Sequence, residues 1–334
     1  MHIQIVLFDG FDLLDAIAPY EVFTAAAMYS NEEVTVKLVS AEGKRLVTSG
    51  VNHLQIQASE KLDLSRKGII LIPGASGSVH DNGSDSVPVK LQQATETELS
   101  HLLKEAMMKP DILLATVCGG SCILAMDGLL EGRHAVTHHM GMDLLSATGA
   151  IPVNARVVDD GNLITGGGVT SGLDVALYLV ERELGPQIAH AIEQLFEHER
   201  RGTIWKAEGN VPKESKHENT VEATRQPSTI QSNEIWDFQG KWDTIISTPI
   251  GKLSVLIDLS TNDGQIVGTA KQGEEIVSLD NPFLEGNQLK WSMKVTKPMR
   301  LTLKFSVSID GNQMIGEVKA GMLPSSKLIG HRLT

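Results

Sequence analysis

Short apolar runs alternate with helical patterns over residues 1–200, and this alternation constrains the fold more than any other feature of the chain. Most of the runs are apolar without interruption, which is typical of parallel strands that are covered on both faces. Alternation of such strands with helices predicts an α/β fold with a doubly wound parallel sheet. The predicted strands are residues 3–8, 34–40, 68–73, 111–117 and 155–160. The predicted helices lie near residues 14–29, 91–107, 119–127, 140–147, 171–184 and 186–199.

A second pattern begins after residues 203–234, a polar segment whose mixed charge and few large apolar residues are typical of a linker. Residues 235–334 contain short runs in which apolar and polar side chains alternate, with turn signals such as Glu285-Gly286-Asn287 between them. Regularly spaced strands of this kind predict an antiparallel β-barrel or sandwich. The sequence therefore predicts an α/β domain at 1–202 and a small all-β domain at 235–334.

The charge is divided unevenly between these two regions. The 334 residues carry a net charge of −12; residues 1–205 hold 14 basic and 26 acidic side chains, and residues 206–334 hold 15 of each. An acidic domain followed by a neutral β domain without a helix-turn-helix pattern argues against binding to nucleic acid or to an anionic membrane. We therefore expect a small-molecule substrate, with neither nucleic acid nor membrane as a partner.

The start of the chain and its cysteines indicate the compartment. The opening HIQIVLF has neither the basic region nor the cleavage site of a secretory signal. No apolar run approaches the roughly 18 residues that a membrane helix requires. The two cysteines, Cys118 and Cys122, do not form a disulfide framework. These features predict a cytoplasmic protein.

The most informative segment is DILLATVCGGSC, in which a buried strand leads into Cys118, two glycines and a helix. A residue on such a turn projects at the carboxyl edge of the sheet, which is the geometry of a nucleophile elbow. The N-terminus of the following helix is expected to lower the pKa of the Cys118 thiol. The alternative is that Cys118 is a small buried residue, the interpretation that we prefer for Cys122.

Two further segments are expected at the same edge. The loop after GIILIP places backbone amides of Gly74 and Ala75 where, with that of Gly119, they would form an oxyanion hole; an ordinary strand-to-helix turn is the alternative. The segment DLLDAIAPYE follows the first strand, and from it Asp15 would act as a general acid or base. The alternative for Asp15 is a helix N-cap.

His138 follows a short strand, HAVT, and is a candidate for the rim of the same pocket. The cysteine and acidic residues around it lack the spacing of a ligand set, so we expect no metal at the site.

Together these segments resemble the ThiJ/PfpI superfamily of class I glutamine amidotransferase-like proteins, which have a flavodoxin-like fold. The resemblance covers residues 1–202 and rests on LLDAIAPYEVF, IPGASG, TVCGGS, AVTHHMG and ITGGGVTSGLDVALYLVERELG. The first segment, the TH pair at residues 137–138 and the TSGLDVAL part of the last block look most like the isonitrile hydratase branch. Sensor domains of AraC-type regulators share the same blocks.

The resemblance implies roles for particular residues. Cys118 aligns with the nucleophile, Asp15 with the acidic residue that contacts its sulfur, and Gly74 and Ala75 with the loop whose amides line the site. It also implies catalysis without a cofactor and a homodimer with the site near its interface. His138 and Thr170, which lie in two of the matching blocks, are the candidate substrate-lining residues.

Gly119 departs from the pattern in two ways. Isonitrile hydratases have Thr at this position, so this chain lacks a hydroxyl there. Protease and chaperone branches have His directly after the cysteine, and Gly119 excludes that dyad, so we expect no peptidase activity. The C-terminal region resembles small lipocalin-like β domains that are appended to some bacterial enzymes, on its opening GKWDTIISTPIGKLSV.

Three functions follow as hypotheses. The first is an isonitrile hydratase-like lyase, in which Cys118 attacks the isonitrile carbon, Asp15 moves protons and water releases an N-substituted formamide. The second is a glyoxalase-type enzyme, in which Cys118 adds to a small aldehyde and a histidine near the site moves protons. The third is a non-enzymatic module that senses a metabolite or an oxidant through the Cys118 pocket.

Overall fold

A computed structural model shows two units, an α/β domain and an all-β domain. It describes residues 1–78, 83, 85–211, 238–248, 251–262, 265–273, 275–295, 301–320 and 325–333. Most of the predicted linker, residues 212–234, lies outside the described residues.

The α/β domain is built on an eight-stranded sheet in the order β12-β10-β11-β7-β6-β1-β2-β5. All neighbouring strands are parallel except β10 and β11, which are antiparallel. The predicted doubly wound sheet is therefore confirmed. Its strands are β1 (His2–Val6), β2 (Thr35–Ser40), β5 (Glu60–Lys61), β6 (Gly68–Ile72), β7 (Ile112–Thr116), β10 (Val157–Asp159), β11 (Leu163–Gly166) and β12 (Trp205–Lys206). Two short pairs lie outside it, namely β3 (Arg45–Thr48) with β4 (Gln55–Ala58) and β8 (His134–Ala135) with β9 (Ile151–Pro152).

Two groups of helices pack against the sheet. Helix α1 contacts α6 and α7, whereas α2 contacts α3 and α4. The central strands β1, β6 and β7 are almost entirely buried, as their uninterrupted apolar sequences require. The helices are α1 (Leu13–Tyr29), α2 (Val87–Thr95), α3 (Glu98–Met107), α4 (Gly120–Met126), α5 (Met142–Ala147), α6 (Ser171–Leu184) and α7 (Pro186–Phe196), with a 3-10 turn at His139–Gly141.

The structure has several short strands that the sequence pattern did not predict, and two of its differences from the prediction have a clear local cause. The single helix predicted near 91–107 is two helices, because Thr97 ends the continuity by capping α3: its Oγ1 accepts a hydrogen bond from the Leu99 amide. Strand β11 does not stand out in the sequence, because it has only four residues and its last one, Gly166, is the first of three consecutive glycines, which carry no pattern of side chains.

The C-terminal domain is one antiparallel sheet of nine strands in the order β16-β15-β14-β13-β21-β20-β19-β18-β17. The edge strands β16 and β17 lie close to β18 and β15, so the sheet curls into a nearly closed barrel. Of the two predicted forms, barrel and sandwich, the structure has the barrel. Its strands are β13 (Gly240–Thr248), β14 (Gly251–Asn262), β15 (Gln265–Gln272), β16 (Glu275–Ser278), β17 (Asp280–Glu285), β18 (Gln288–Val295), β19 (Leu301–Asp310), β20 (Gln313–Ala320) and β21 (Ser326–Arg332).

The barrel contacts the α/β domain beside the carboxyl edge of the parallel sheet. Strand β19 lies against α5, and Leu301 packs on the hydrophobic core of the α/β domain. The Lys294 ammonium lies 3.7 Å from the carboxylate of Glu131. Both side chains are largely exposed, so this ion pair contributes little to the contact. In the described part of the chain, no helix is long and apolar enough to cross a bilayer.

The barrel core offers a direct test of this fold. Met314 on β20 is fully buried, whereas its neighbour Ile315 is 42% exposed on the outer face. Met314→Ala should lower the free energy of unfolding of the β domain by about 2–5 kcal/mol, since it leaves a cavity. Ile315→Ala is the matched control and should change it by less than about 1 kcal/mol. Urea unfolding followed by circular dichroism measures both; equal effects would contradict the assigned register.

Candidate active site

Cys118 lies between β7 and α4 in a strained backbone conformation. Its φ angle is +55°, in the left-handed region that residues with a side chain rarely adopt. Three contacts hold it there. The Cys118 amide donates to the Gly166 carbonyl (3.1 Å), and the Cys118 carbonyl accepts from Thr137 Oγ1 (2.7 Å). The preceding Val117 amide donates to the Ile72 carbonyl (3.0 Å). The predicted strand-to-helix turn at Cys118 is therefore present, with its strain maintained by these three contacts.

Two glycines permit the backbones to approach closely at this elbow. A Cβ atom on Gly120 would lie 2.2 Å from the Ile72 carbonyl oxygen. A Cβ on Gly74 would lie 2.6 Å from the Gly119 amide nitrogen and 2.9 Å from Asp15 Oδ2. Neither distance tolerates a side chain, so the sequence requires glycine at both positions.

Asp15 lies in the first turn of α1 with its carboxyl group fully buried. The N-cap of this helix is Asp12, whose Oδ1 accepts from the amides of Leu14 (3.0 Å) and Asp15 (3.3 Å). The N-cap alternative for Asp15 is therefore wrong. Instead, Asp15 Oδ2 accepts a hydrogen bond of 2.9 Å from the Gly74 amide.

The buried carboxyl of Asp15 holds its proton far more tightly than an exposed aspartate. Burial, followed by the charge of Asp12, raises its pKa from 3.8 to about 8. Hydrogen bonds with the Gly74 amide and the Cys118 thiol oppose this rise without cancelling it. At neutral pH, Asp15 is accordingly a carboxylic acid beside the sulfur of Cys118.

The pKa of the Cys118 thiol is also raised, which corrects the prediction that the following helix lowers it. Burial is the largest cause, the negative form of Asp15 is the next, and a hydrogen bond from the Gly119 amide acts in the opposite direction. Helix α4 has only seven residues, and Cys118 is only 7% exposed, so desolvation outweighs the helix terminus. Because a charge on either group raises the pKa of the other, the pair disfavours two simultaneous negative charges.

The three backbone amides predicted for an oxyanion hole have different roles. The Gly74 amide is used by Asp15, and the Gly119 amide donates to the sulfur of Cys118. Ala75 lines the cavity above the thiol. The amides of Gly74 and Gly119 thus contact Asp15 and Cys118, respectively, whereas Ala75 is part of the cavity wall.

His138 and Thr170, the predicted lining residues, have separate positions. His138 is half-buried and lines the cavity; its Nδ1 accepts from the Met140 amide (3.3 Å). Burial, reinforced by the neighbouring His139, lowers its pKa, so it is neutral at pH 7. Thr170 is exposed and absent from the cavity lining; its Oγ1 accepts from Arg156 (3.1 Å).

Cys122 is buried one turn into α4, as predicted, with its sulfur 3.4 Å from Thr137 Oγ1. Burial raises its pKa to about 11. Thr137, which touches both Cys122 and the Cys118 carbonyl, is a site residue that the sequence reasoning missed, although it belongs to the AVTHHMG block. The described residues contain no cluster of histidine, cysteine and acidic side chains that could hold a metal ion.

A cavity of about 600 Å³ opens over Cys118. The α/β domain lines one side of it, and the interior of the β-barrel lines the other. The barrel residues in this lining could not be predicted from the sequence, because a strand pattern does not indicate which distant surface the open end of a barrel will contact.

The geometry defines a class of α/β proteins in which a strained cysteine at a strand-to-helix elbow pairs with a buried acid. The sequence profile of the DJ-1/PfpI family matches residues 1–182, which is more than half of the chain. The chain belongs to the DJ-1/PfpI family.

Individual proteins match lengths of the chain similar to that of the family profile. The chain is 33% identical over 199 residues to the isonitrile hydratase of Pseudomonas putida, covering 59% of this chain and 78% of that protein. It is 24% identical over 193 residues to the HTH-type transcriptional regulator CdhR of Pseudomonas aeruginosa, covering 57% of this chain and about half, 53%, of the regulator. The crystal structure of a ThiJ/PfpI family protein from Pseudomonas syringae matches with a TM-score of 0.50 and 25% identity, over 60% of this chain and 76% of that one.

The raised pKa of Asp15 makes stability depend on pH. The folded protein binds the Asp15 proton more tightly than the unfolded chain, so this group's contribution to the free energy of unfolding falls as pH rises from 3.8 to about 8. The loss is on the order of a few kcal/mol, at about 1.4 kcal/mol per pKa unit. Asp15→Asn, which resembles the protonated acid, should remove this decline. Melting temperatures between pH 5 and 9 measure it, with Glu21→Gln, an exposed carboxyl on the same helix, as the control. Parallel pH profiles for Asp15→Asn and the unaltered protein would contradict the assignment.

The same pair predicts the reactivity of the thiol. Above pH 8 the unaltered protein carries a negative Asp15, which raises the pKa of Cys118. Asp15→Asn removes that charge and should increase the rate of Cys118 alkylation by iodoacetamide several-fold at pH 8.5. Mass spectrometry follows the modification at Cys118. A rate that is unchanged or lower in Asp15→Asn would show that the two groups are not coupled.

Proposed function

We propose that the α/β domain is a cysteine-dependent hydratase of the isonitrile hydratase type, which converts an isonitrile and water into an N-substituted formamide. The observation that carries the proposal is the buried Asp15 acid, held by the Gly74 amide beside the Cys118 thiol. The 33% identity to the Pseudomonas putida isonitrile hydratase, of which the chain covers 78%, supports this reaction class.

The two groups suffice for the first half of the reaction. Asp15 donates its proton to the terminal carbon of the isonitrile, and the sulfur of Cys118 forms a bond to the same carbon. The thiol proton passes to the Asp15 carboxylate, which restores the acid. The product of this half is a thioimidate, in which the former isonitrile carbon carries one hydrogen, the nitrogen and the sulfur.

Hydrolysis completes the cycle. Water adds to the thioimidate carbon, and the carbon–sulfur bond breaks, so that the formamide leaves and sulfur regains a proton by way of Asp15. Ala75 lines the same cavity as Cys118, and in this proposal its amide donates to the oxygen that develops at this carbon. No oxidant, reductant or cofactor enters the balance. The Thr hydroxyl expected after the cysteine is absent, because Gly119 occupies that position.

A second candidate is a glyoxalase-type reaction on a small aldehyde. The observation that favours it is His138, which lines the cavity and is neutral at pH 7. In this reaction Cys118 adds to the carbonyl carbon, and His138 moves the proton between adjacent carbons.

Substitution of the catalytic pair tests the proposal. With an alkyl isonitrile as substrate, Cys118→Ser should lower kcat/KM at least about a thousandfold, since serine lacks the nucleophilic sulfur. Asp15→Asn should lower it about a hundredfold or more, because it cannot deliver a proton. Glu21→Gln on the exposed side of α1 is the control and should retain activity.

Three results separate the hypotheses. Formamide production that depends on Cys118 and Asp15 supports the hydratase. If methylglyoxal is turned over in a reaction that depends on Cys118 and His138, and no formamide is produced, the glyoxalase-type reaction is supported instead of the hydratase. Turnover of neither compound would favour the sensing module. The homodimer expected from the family resemblance stays a prediction, for light scattering to check.

A further inference from the structure

The interior of the β-barrel has one filled end and one open end. Fully buried side chains fill the first end, among them Trp242, Ile257, Leu289 and Val307. At the other end the inward-facing residues of the same strands line the cavity over Cys118 instead. The barrel interior is therefore packed at one end and hollow at the other, and we call the hollow end, lined by the barrel residues of the cavity, the cup.

The strand register shows where filling stops. Along β18 and β19, Leu289 pairs with Val307 in the filled layer. The next inward pairs towards the open end are Trp291 with Phe305, Met293 with Leu303, and Val295 with Leu301. Every residue of these three pairs except Trp291 lines the cavity, namely Phe305, Met293, Leu303, Val295 and Leu301. Since side chains on one face of a strand recur at every second residue, these pairs form a continuous apolar wall that ends at the α/β domain.

The same change occurs across the barrel. On β14, Ile257 and Leu259 are in the filled layer, whereas Val255 and Leu253 line the cavity. Ala270 on β15 and Ala320 on β20 also line it, and their small side chains leave the width of the cup open. The polar residues that the barrel contributes are Gln272, Glu275 and Ser326.

The open end of the cup meets the Cys118 elbow. One cavity of about 600 Å³ is lined both by Cys118, Gly119 and His138 and by the apolar barrel residues. Pockets of roughly 300–1,000 Å³ accommodate drug-sized ligands, and a molecule of two or three carbon atoms would leave most of this space unfilled. The site chemistry needs only the reactive carbon and its nitrogen, so the apolar half of the cavity is available to the rest of the substrate.

We propose that the substrate is an amphiphile whose reactive head meets Cys118 while an apolar alkyl tail lies inside the β-barrel, which makes the β domain the tail-binding half of a joint active site. This inference rests on the proposed function for the identity of the head. The nature of the tail rests on the cavity alone. Each methylene placed in the cup leaves water, which strengthens binding by up to about fourfold, or ~0.8 kcal/mol.

A chain-length series tests the tail in the full-length protein. We expect kcat/KM to rise about two- to fourfold per methylene from ethyl through butyl and hexyl to octyl isonitrile, mainly through a falling KM. Ala270→Phe fills the cup and should lower kcat/KM for octyl isonitrile at least ten times more than kcat/KM for ethyl isonitrile. Val267→Phe on the exposed side of the same strand is the matched control and should alter neither.

A second variant and a binding measurement keep the test independent of folding and of turnover. Ala320→Phe fills the same space from β20, and melting temperatures show whether each variant is folded. Calorimetry measures the binding of N-alkylformamides to Cys118→Ala. If longer alkyl chains bind more tightly, and if Ala270→Phe abolishes this trend, the tail site is supported. This conclusion holds even if no isonitrile is turned over, in which case only the proposed reaction fails. Turnover of isonitriles with no dependence on chain length, in either the kinetics or the binding, would overturn the tail site and leave the reaction standing.

Discussion

The hydrogen bond from the Gly74 amide to the carboxyl of Asp15 is the contact on which the site depends. It joins the loop after β6 to the first turn of α1, and it holds the acid beside Cys118. Gly74 must be glycine, because a side chain there would overlap the Gly119 amide and the carboxyl itself. One backbone contact thus fixes the position of the acid relative to the elbow, and the close approach that it requires restricts its donor to glycine.

Burial then determines the chemistry of this arrangement. The Asp15 carboxyl and the Cys118 thiol are both desolvated, and a negative charge on either raises the pKa of the other. An isolated thiol at a helix N-terminus would be expected to ionise readily. Here the short helix α4 is outweighed, and the pair instead holds an acid next to a nucleophile at neutral pH. Such a pair suits a reaction in which carbon receives a proton and a sulfur bond together.

Local sequence patterns predicted the position of Cys118 on a strand-to-helix turn. The run of a buried strand into Cys118 and two glycines predicts the elbow, because only a tight turn accommodates that order of residues. The importance of Asp15 came from the family resemblance, since its own surroundings were compatible with an N-cap, a role that Asp12 takes. The sequence near Cys118 could not predict that the pKa of its thiol is raised, because the shift depends on desolvation by several elements. The contact of Thr137 with the elbow likewise depends on folding, since its hydroxyl donates to the Cys118 carbonyl, 19 residues away in the chain.

The sequence by itself determined the parallel sheet, the antiparallel sheet and the strand-to-helix turn at Cys118, because hydrophobic periodicity and glycine placement are properties of neighbouring residues. The tertiary structure alone decided that the β-barrel is open at one end and that this end meets Cys118. That outcome depends on how many inward side chains the curled sheet leaves unpacked, and on contacts such as that of Leu301 with the α/β core. Both follow from the packing of residues far apart in the chain, which no local pattern records.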